Sequence, residues 1–442
     1  MNVIIPIGGI GSRFQKEGYR FSKPLVNIVG KPMILWVINN LNFDLESDTL
    51  WIAYNSFMEQ DLAKLIKKEI PGLRVKAVIL HTQTRGAAET LFSVVQQFSP
   101  KDLEKRTISL DCDAIYFYDI LDQFRTLPRG RGCCFYFEDY GDKAIYSYID
   151  MNHVGAITNV KEKVKISDYA NTGAYGFPDG QTLKDYCMKV LDKGVVGGEY
   201  YTSNIVSRMI MDLVPFVGLK VPINEYFCVG TPTQLQDFLE KIKNGSVNIP
   251  NGHSVRFCFD LDNTLVTFPH IAGDYSTCGP RQENIDLVKN LYNAGHTIII
   301  QTARRMKTHK GNVGAILADI GRITFNQLEK FEIPYHEIHF GKPHADIYVD
   351  DLAVNALIDT AKEIGWVSGN TDDNKQHKEM VDHRSFNDIV KMDNLIIKTT
   401  TSNIGAGEAF YYQNLPKGME NYFPEVSEIE ELPNNSISIT MT

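Results

Sequence analysis

The sequence predicts an α/β protein built from two successive strand–helix alternations and a small tail. Three observations predict it. Short apolar, β-branched runs alternate with helical patterns from the first residues to about 240, which implies a mostly parallel, mixed sheet with helices on its faces. A stretch dominated by Gly, Asn, Ser and Pro, from Lys243 to Gly252, then breaks the pattern. A second strand–loop–helix alternation runs from Val255 to about Ile364. The 442 residues fit two to four domains, at roughly 100–200 residues each. The expected division is a first domain over 1–243, a linker over 244–252, a second α/β domain over 253–368, and a polar linker with a small α/β appendage over 369–442.

The elements follow in order. Val3-Ile4-Ile5-Pro6-Ile7, closed by Gly8-Gly9, reads as a buried first strand. Pro32 to Leu41 reads as a helix with Met33, Trp36, Val37 and Leu41 roughly on one face. Leu50 to Tyr54 is the next strand, followed by a helix from Met58 to Lys68, a strand from Val75 to Leu80, a helix from Ala87 to Phe98 and a strand from Thr107 to Leu110. In the second alternation the segment between Thr264 and Thr302 has room for a loop and one helix, with Ile285, Val288 and Leu291 on one side. Gly369 to Asp382 is polar and exposed, and Leu395 to Thr442 opens and closes on strand-like runs.

Composition excludes several classes. Forty-five basic against 54 acidic residues give a net charge of −9, which argues against a broad nucleic-acid face. It still allows anionic small substrates in a locally basic pocket. Apolar runs such as Met33 to Ile38 are too short to span a bilayer. The start, Met1 to Pro6, lacks the basic region and cleavage site of a signal peptide, so a cytoplasmic protein is expected. The seven cysteines form no CxxC pair and read as buried thiols in a reducing compartment. The scattered histidines, His81 and His344 among them, read as surface or pocket-wall residues.

The first chemical constellation is Gly8-Gly9-Ile10-Gly11-Ser12-Arg13-Phe14, then Lys23-Pro24-Leu25, then Gly30-Lys31-Pro32-Met33. A glycine-rich turn after a buried strand lets backbone N–H groups approach a polyphosphate. Arg13 and Lys23 would neutralise the charge on a leaving pyrophosphate. This pattern resembles the nucleotidyltransferases that join a nucleoside triphosphate to a phosphorylated sugar or small alcohol, over about residues 1–240. The resemblance implies a Rossmann-like domain. It implies nucleotide binding by Gly8, Gly9, Gly11, Ser12, Arg13 and Lys23, with Gln83, Gly86 and Ala87 reading the base and lining the nucleotide. It gives Lys163, Asn171, Gly173 and Glu199 to the acceptor, and Asp113 to Mg²⁺, with Asp111 the second choice. The sugar-nucleotide members carry an aspartate, as a second metal ligand, where this chain has Cys228. A thiol suits Mg²⁺ poorly. Either Asp113 then acts with substrate phosphates and water, or Asp111 or Glu225 helps. The departure points toward phosphocholine-like or other small phosphorylated acceptors activated with CTP.

The second constellation is Phe257-Cys258-Phe259-Asp260-Leu261-Asp262-Asn263-Thr264-Leu265, with Thr302 ending a later apolar strand, then Gly341-Lys342-Pro343 and Ile347-Tyr348-Val349-Asp350-Asp351. These four landmarks, in this order, resemble the haloacid dehalogenase superfamily, and most nearly phosphatases of capsule biosynthesis. The resemblance implies that Asp260 is the nucleophile and Asp262 the acid/base, with Thr302 and Lys342 on the phosphoryl oxygens. It implies a second Mg²⁺ held by Asp260, the backbone carbonyl of Asp262, Asp350 and Asp351. Neither intervening segment has room for a large cap, so a capless, open site is expected.

The tail, with Leu395 to Lys398, Gly407-Glu408-Ala409-Phe410 and Phe423-Pro424, resembles the opening of a choline-kinase or aminoglycoside-kinase N-lobe over fewer than fifty residues. It lacks a catalytic loop. Whether it is a small appendage or the front part of a longer chain, no kinase activity is expected of it.

Two function classes compete. One is a bifunctional enzyme of surface-polysaccharide precursor synthesis, taking a nucleoside triphosphate and a small phosphorylated acceptor. The other is a phosphatase whose first domain is a nucleotide-binding or regulatory module. The oligomeric state is left open, a homo-oligomer included.

Overall fold

The structure is a computed structural model. It describes residues 1–9, 11–58, 60–193, 199–247, 254–345, 353–357 and 359–367, and in the tail 379–380, 387–392, 395–401, 409–410, 426–432 and 436–441. Met1–Gly369 form one compact unit and Asn370–Thr442 a second.

The chain opens with β1 (Asn2–Ile7), which runs through Gly8-Gly9 toward helix α1 (Ser12–Lys16). A 3-10 turn over Lys23–Leu25 precedes a tight hairpin, β2 (Asn27–Ile28) and β3 (Lys31–Pro32), and helix α2 (Met33–Asn39). Then come β4 (Thr49–Asn55), α3 (Leu62–Glu69), β5 (Arg74–Leu80), α4 (Ala87–Val95), α5 (Pro100–Leu103), β6 (Thr107–Leu110), β7 (Ala114–Tyr116) and α6 (Ile120–Thr126). Four strands follow: β8 (Gly132–Glu138), β9 (Ser147–Met151), β10 (Ile157–Glu162) and β11 (Tyr169–Phe177). The first half ends with α7 (Gly180–Lys193), α8 (Thr202–Met211), β12 (Phe216–Lys220), β13 (Tyr226–Cys228) and α9 (Pro232–Lys243).

The α/β fold with a mixed sheet is the one expected. Nine strands share one sheet, in the order β10-β9-β11-β6-β1-β4-β5, with β8 on β11 and β12 on β8. The stretch β6-β1-β4-β5 is parallel, whereas β11 runs antiparallel to β6, β8 and β9. All seven residues of β4 are buried, the reason its sequence is a nearly unbroken apolar run. The chain steps outward from β1 to β4 to β5, then returns to the other side of β1 for β6. That reversal opens a crevice at the carboxyl ends of β1 and β6, the usual place for a ligand in such sheets. Gly8-Gly9 and Asp111-Cys112-Asp113 stand at those two ends.

In the second half β14 (Arg256–Asp260), helix α10 (Gln282–Asn293), β15 (Thr297–Gln301), α11 (Val313–Ile316), α12 (Arg322–Lys330), β16 (Glu337–His339) and α13 (Thr360–Ile364) follow in order. The three strands form a parallel sheet, β14-β15-β16. Ile285, Val288 and Leu291 are buried on α10. Among the described residues, no folded cap is inserted before or after Thr302; only short helical turns, α10, α11, α12 and β16 lie there. One hydrophobic core runs through both halves and joins Ile28, Trp36 and Phe238 to Phe257, Leu291 and Trp366.

Asn370–Thr442 contains β17 (Glu379–Met380), β18 (Asn387–Met392), β19 (Leu395–Thr401), β20 (Val426–Leu432) and β21 (Ser436–Met441). They pair antiparallel in the order β17-β18-β19-β21-β20. Gly407-Glu408 and Phe423-Pro424 lie outside the described residues. No helix among the described residues is long and apolar enough to cross a membrane. All seven cysteines are free, but only Cys133, Cys134, Cys187 and Cys278 are buried. Cys258 is exposed and Cys112 and Cys228 are half-buried, the last two packed on the edge of the core.

Candidate active site

The crevice of the first half is built around one ion pair. Lys23, on its 3-10 turn, places Nζ against the Asp113 carboxylate. Burial pulls the Lys23 pKa down; Asp113 outweighs that and holds it above the ordinary lysine value. Gly11 adopts a left-handed conformation, φ 67°, and a Cβ there would lie 2.9 Å from the Lys23 Cβ, so the glycine loop and Lys23 are in direct apposition. Ser12 and Arg13 are exposed at the start of α1. Asp111 is half-buried, and loss of solvent, aided by the Asp113 charge and opposed by Lys23, pushes its pKa up to about 8.

The glycine loop is tied to the Gln83–Ala87 segment by residues the sequence reading did not single out. Asn55, at the end of β4, donates to the Gly8 carbonyl at 3.1 Å. The hydroxyls of Thr84 and Thr90 meet at 2.7 Å, where a Cβ on Gly8 would fall. Gln83 is exposed, with Gly86 and Ala87 half-buried. The backbone of this segment is stitched to Tyr200: the Tyr200 N–H donates to the Arg85 carbonyl at 3.0 Å and the Ala88 N–H to the Tyr200 carbonyl at 2.8 Å.

That stitching brings the acceptor-side residues alongside. Lys163 donates to the Tyr201 hydroxyl at 3.1 Å, with its ammonium 5.0 Å from the ring centroid. The Tyr201 hydroxyl in turn donates to Glu199. Lys163 and Glu199 are therefore brought together through Tyr201, which the sequence reading missed; its place two residues after Glu199 was the available signal. Asn171 is buried and uses its carboxamide within the chain, accepting from the Gly173 N–H at 2.7 Å. It shapes the bend that sets Gly173 against Asp111, whose N–H donates to the Gly173 carbonyl at 3.1 Å.

The donor set bears on Mg²⁺. Cys228 sits in the same crevice, its thiol directed to Gln234 at 3.6 Å, and burial pushes the thiol up to about 12, so it stays protonated near neutrality. Among the described residues no three His, Cys, Asp or Glu side chains converge on a common metal position. A Cβ on Gly230 would lie 2.3 Å from the Asp113 carboxylate, so only a glycine lets this backbone pack so closely on it. Fewer than three such donors fit an Mg²⁺ that shares substrate phosphates and water, and do not fit an all-protein cage.

A second cluster forms at the carboxyl ends of β14 and β15. Lys342 Nζ lies 3.1 Å from Asp260. Burial raises the Asp260 pKa, against the pull of Lys342. The Thr302 hydroxyl donates to Asp262 at 3.1 Å. Thus Asp260, Asp262, Thr302 and Lys342 do come together, while Asp350 and Asp351 lie outside the described residues. Arg304 was missed. Its Nε donates to both Asp262 oxygens, at 2.9 and 3.1 Å. Its other nitrogens donate to Thr324 at 3.0 Å and Gln327 at 2.7 Å, and the guanidinium lies 4.8 Å from the Tyr275 ring centroid. Only its position two residues after Thr302 marked it in the sequence.

The fold and crevice define a nucleotide-handling α/β transferase. The chain belongs to the nucleotidyl transferase family, whose profile matches residues 2–243. Solved structures similar to it include a nucleoside-diphosphate-sugar pyrophosphorylase from Vibrio cholerae RC9, at 20% identity over 54% of this chain and 99% of that one, TM-score 0.48. HddC from Yersinia pseudotuberculosis is 16% identical over 54% of this chain and 98% of that one, TM-score 0.40. The inositol-1-phosphate CTP transferase from T. maritima is 9% identical over 53% and 90%, TM-score 0.40. No curated protein sequence matches.

Two predictions follow from this geometry. Asp113→Ala should lower nucleotidyl transfer by on the order of 10²-fold or more, since metal and ion-pair charge stabilisation is worth several kcal/mol, whereas Cys228→Ser should change it only modestly. Pyrophosphate release assays on both variants check this, and a severe Cys228→Ser loss would place the thiol in the metal site. Arg304→Ala leaves Asp262 without its fork and should cost about 3 kcal/mol of stability in urea unfolding; Arg304→Lys, which keeps charge without the bidentate geometry, should recover only part of it.

Proposed function

We propose that the chain is a bifunctional enzyme of surface-polysaccharide precursor synthesis, a nucleotidyltransferase joined to a haloacid dehalogenase-type phosphatase. Family membership supports the first activity. The observation that carries the second is the meeting of Asp260, Asp262, Thr302 and Lys342 at two parallel strand ends.

In transfer, a phosphate oxygen of a small phosphorylated acceptor attacks the α-phosphorus of the nucleotide, CTP for preference, and the bond to pyrophosphate breaks. Lys23 and Arg13 neutralise the departing charge, and the loop from Gly8 to Ser12 holds the phosphates through its N–H groups. Lys163, Glu199 and the Asn171–Gly173 bend orient the acceptor, while Gln83, Gly86 and Ala87 line the nucleotide. Mg²⁺ bound at Asp113 with the triphosphate would offset phosphate charge.

In hydrolysis, an Asp260 oxygen attacks phosphorus and forms an aspartyl phosphate. Asp262 gives its proton to the leaving oxygen, then takes one from the water that cleaves the acyl phosphate and restores Asp260. Thr302 and Lys342 bind the phosphoryl oxygens. Asp260, the Asp262 carbonyl, Asp350 and Asp351 would hold the second Mg²⁺. The phosphatase acts before transfer, on a precursor bearing one phosphate too many, because the open site admits an intermediate destined for the neighbouring crevice.

Asp260→Asn tests both the chemistry and the order, since it removes the nucleophile at constant size. Given a doubly phosphorylated precursor and CTP, the variant should accumulate precursor and make no activated product, read by mass spectrometry. A nucleotide-linked product that keeps the extra phosphate would reverse the order. Lys23→Ala should abolish transfer and leave phosphate-ester hydrolysis intact; loss of both in a folded protein would mean that the two sites are not separate.

A further inference from the structure

The family profile ends at residue 243, yet the loop that carries Lys23 is completed by residues more than a hundred positions further on. Lys23–Leu25 leads directly into the β2–β3 hairpin, whose turn residues Val29 and Gly30 have φ of 48° and 74°. Glycine takes that conformation at no steric cost. A β-branched residue does not, and such strain persists only when the surroundings impose it. Val29 is nonetheless buried, 3% exposed.

The surroundings here are the carboxyl end of α13. The Val29 N–H donates to the Gly365 carbonyl at 2.7 Å and the Gly30 N–H to the Ile364 carbonyl at 2.6 Å. The Asn27 side chain donates to the Glu363 carbonyl at 2.8 Å. Carbonyls at a helix end have no partners within the helix, and three donors of one hairpin satisfy three of them. Gly365 has φ 70°, and a Cβ there would lie 1.9 Å from the Asn27 carbonyl oxygen, so a larger residue would push the two backbones apart. The same helix reaches the other flank of Lys23. Lys362 donates to the Glu17 carbonyl at 2.9 Å and lies 5.3 Å from the Tyr19 ring centroid. Tyr19 packs edge-on against Phe14 of α1 at 5.1 Å.

We propose that α13 and Gly365 are a positioning element of the nucleotidyl transfer site. From the second half of the chain they fix the Asn27–Gly30 turn and the phosphate loop relative to each other, and so place Lys23. Asn27 and Gly365 are positioning residues that act through Lys23. The proposal rests on the assignment of Lys23 to the nucleotide's phosphates, and not on the phosphatase.

The test uses the full chain and inorganic pyrophosphate with Mg²⁺, titrated by calorimetry. Lys23→Ala should weaken pyrophosphate binding strongly. Asn27→Ala, which removes one hydrogen bond, should weaken it roughly tenfold while the protein still melts cooperatively. In the Lys23→Ala background, Asn27→Ala should have no further effect, because its action is lost with the lysine. Should Asn27→Ala fail to fold, Asn27→Ser carries the same comparison, and Gly365→Ala tests the clasp from its other side. Wild-type binding by a folded Asn27 variant overturns the positioning role. So do losses that multiply with that of Lys23→Ala, which would mark a general structural effect. Wild-type binding by Lys23→Ala itself overturns the assignment of Lys23 and the proposal with it.

Discussion

The Lys23–Asp113 ion pair is the contact on which the crevice is organised. An ammonium with most of its surface removed from water needs a counter-charge at contact distance, and three separate pieces of chain meet to supply it. The turn after α1 brings the lysine, the end of β6 brings the carboxylate, and β13 lies antiparallel to β7 so that Gly230 comes up beside Asp113. Gly11 and Gly230 stand against the pair, where a Cβ would fall 2.9 Å from the Lys23 Cβ and 2.3 Å from the Asp113 carboxylate, and Cys228 lies beside them.

The second half is joined to this arrangement by backbone as well as by apolar packing. The hairpin after Lys23 is buried against Val255 and Phe257, and a Cβ on Gly30 would already touch both, at 3.4 and 3.6 Å. Asn284 on α10 donates to the Thr264 carbonyl at 2.9 Å and the Ala356 carbonyl at 3.1 Å. It thereby links the loop that follows Asp260 and Asp262 to the stretch that leads into α13. The chain from one cluster of charges to the other therefore runs through named hydrogen bonds, with the core from Ile28 to Trp366 packed around it.

Much of the first half was legible in the sequence, for a physical reason. Strands such as β1 and β4 are covered on both faces, so their apolar runs are continuous and their limits fall at polar residues; the expected strands at Val3, Leu50, Val75 and Thr107 all lie within observed ones. Helix ends were less clear. The expected helix from Pro32 to Leu41 is Met33–Asn39, because Pro32 serves as its N-cap and the helix ends at Asn40. From β7 to β12 the strands were not assigned, since the motifs there were read for chemistry only. Lys23, Asp113, Lys163, Glu199, Asp260 and Lys342 were legible because a charged residue at a strand end or glycine turn stands out. Asn55, Tyr201 and Arg304 were not, because each owes its place to a partner distant in sequence or to a neighbour it bridges. The α13 clasp belongs with them: nothing in Asn27 or Gly365 alone shows that they meet.

Asp260, the last residue of β14, and Asp262, two residues on, are given different partners. Asp260 faces the Lys342 ammonium and is the last residue of β14, after Phe257, Cys258 and Phe259. The end of the strand sets the place of that carboxylate. Asp262 is held by the planar fork of Arg304 and by the Thr302 hydroxyl. Arg304 is fixed in turn by Thr324, Gln327 and the Tyr275 ring. These bonds set the Asp262 oxygens beside Thr302. In the proposed hydrolysis that is the difference between a nucleophile, which must move along the reaction coordinate, and a proton carrier, which must stay where the leaving oxygen and the incoming water both pass. The sequence motif offers two equivalent carboxylates; the buried arginine makes them inequivalent.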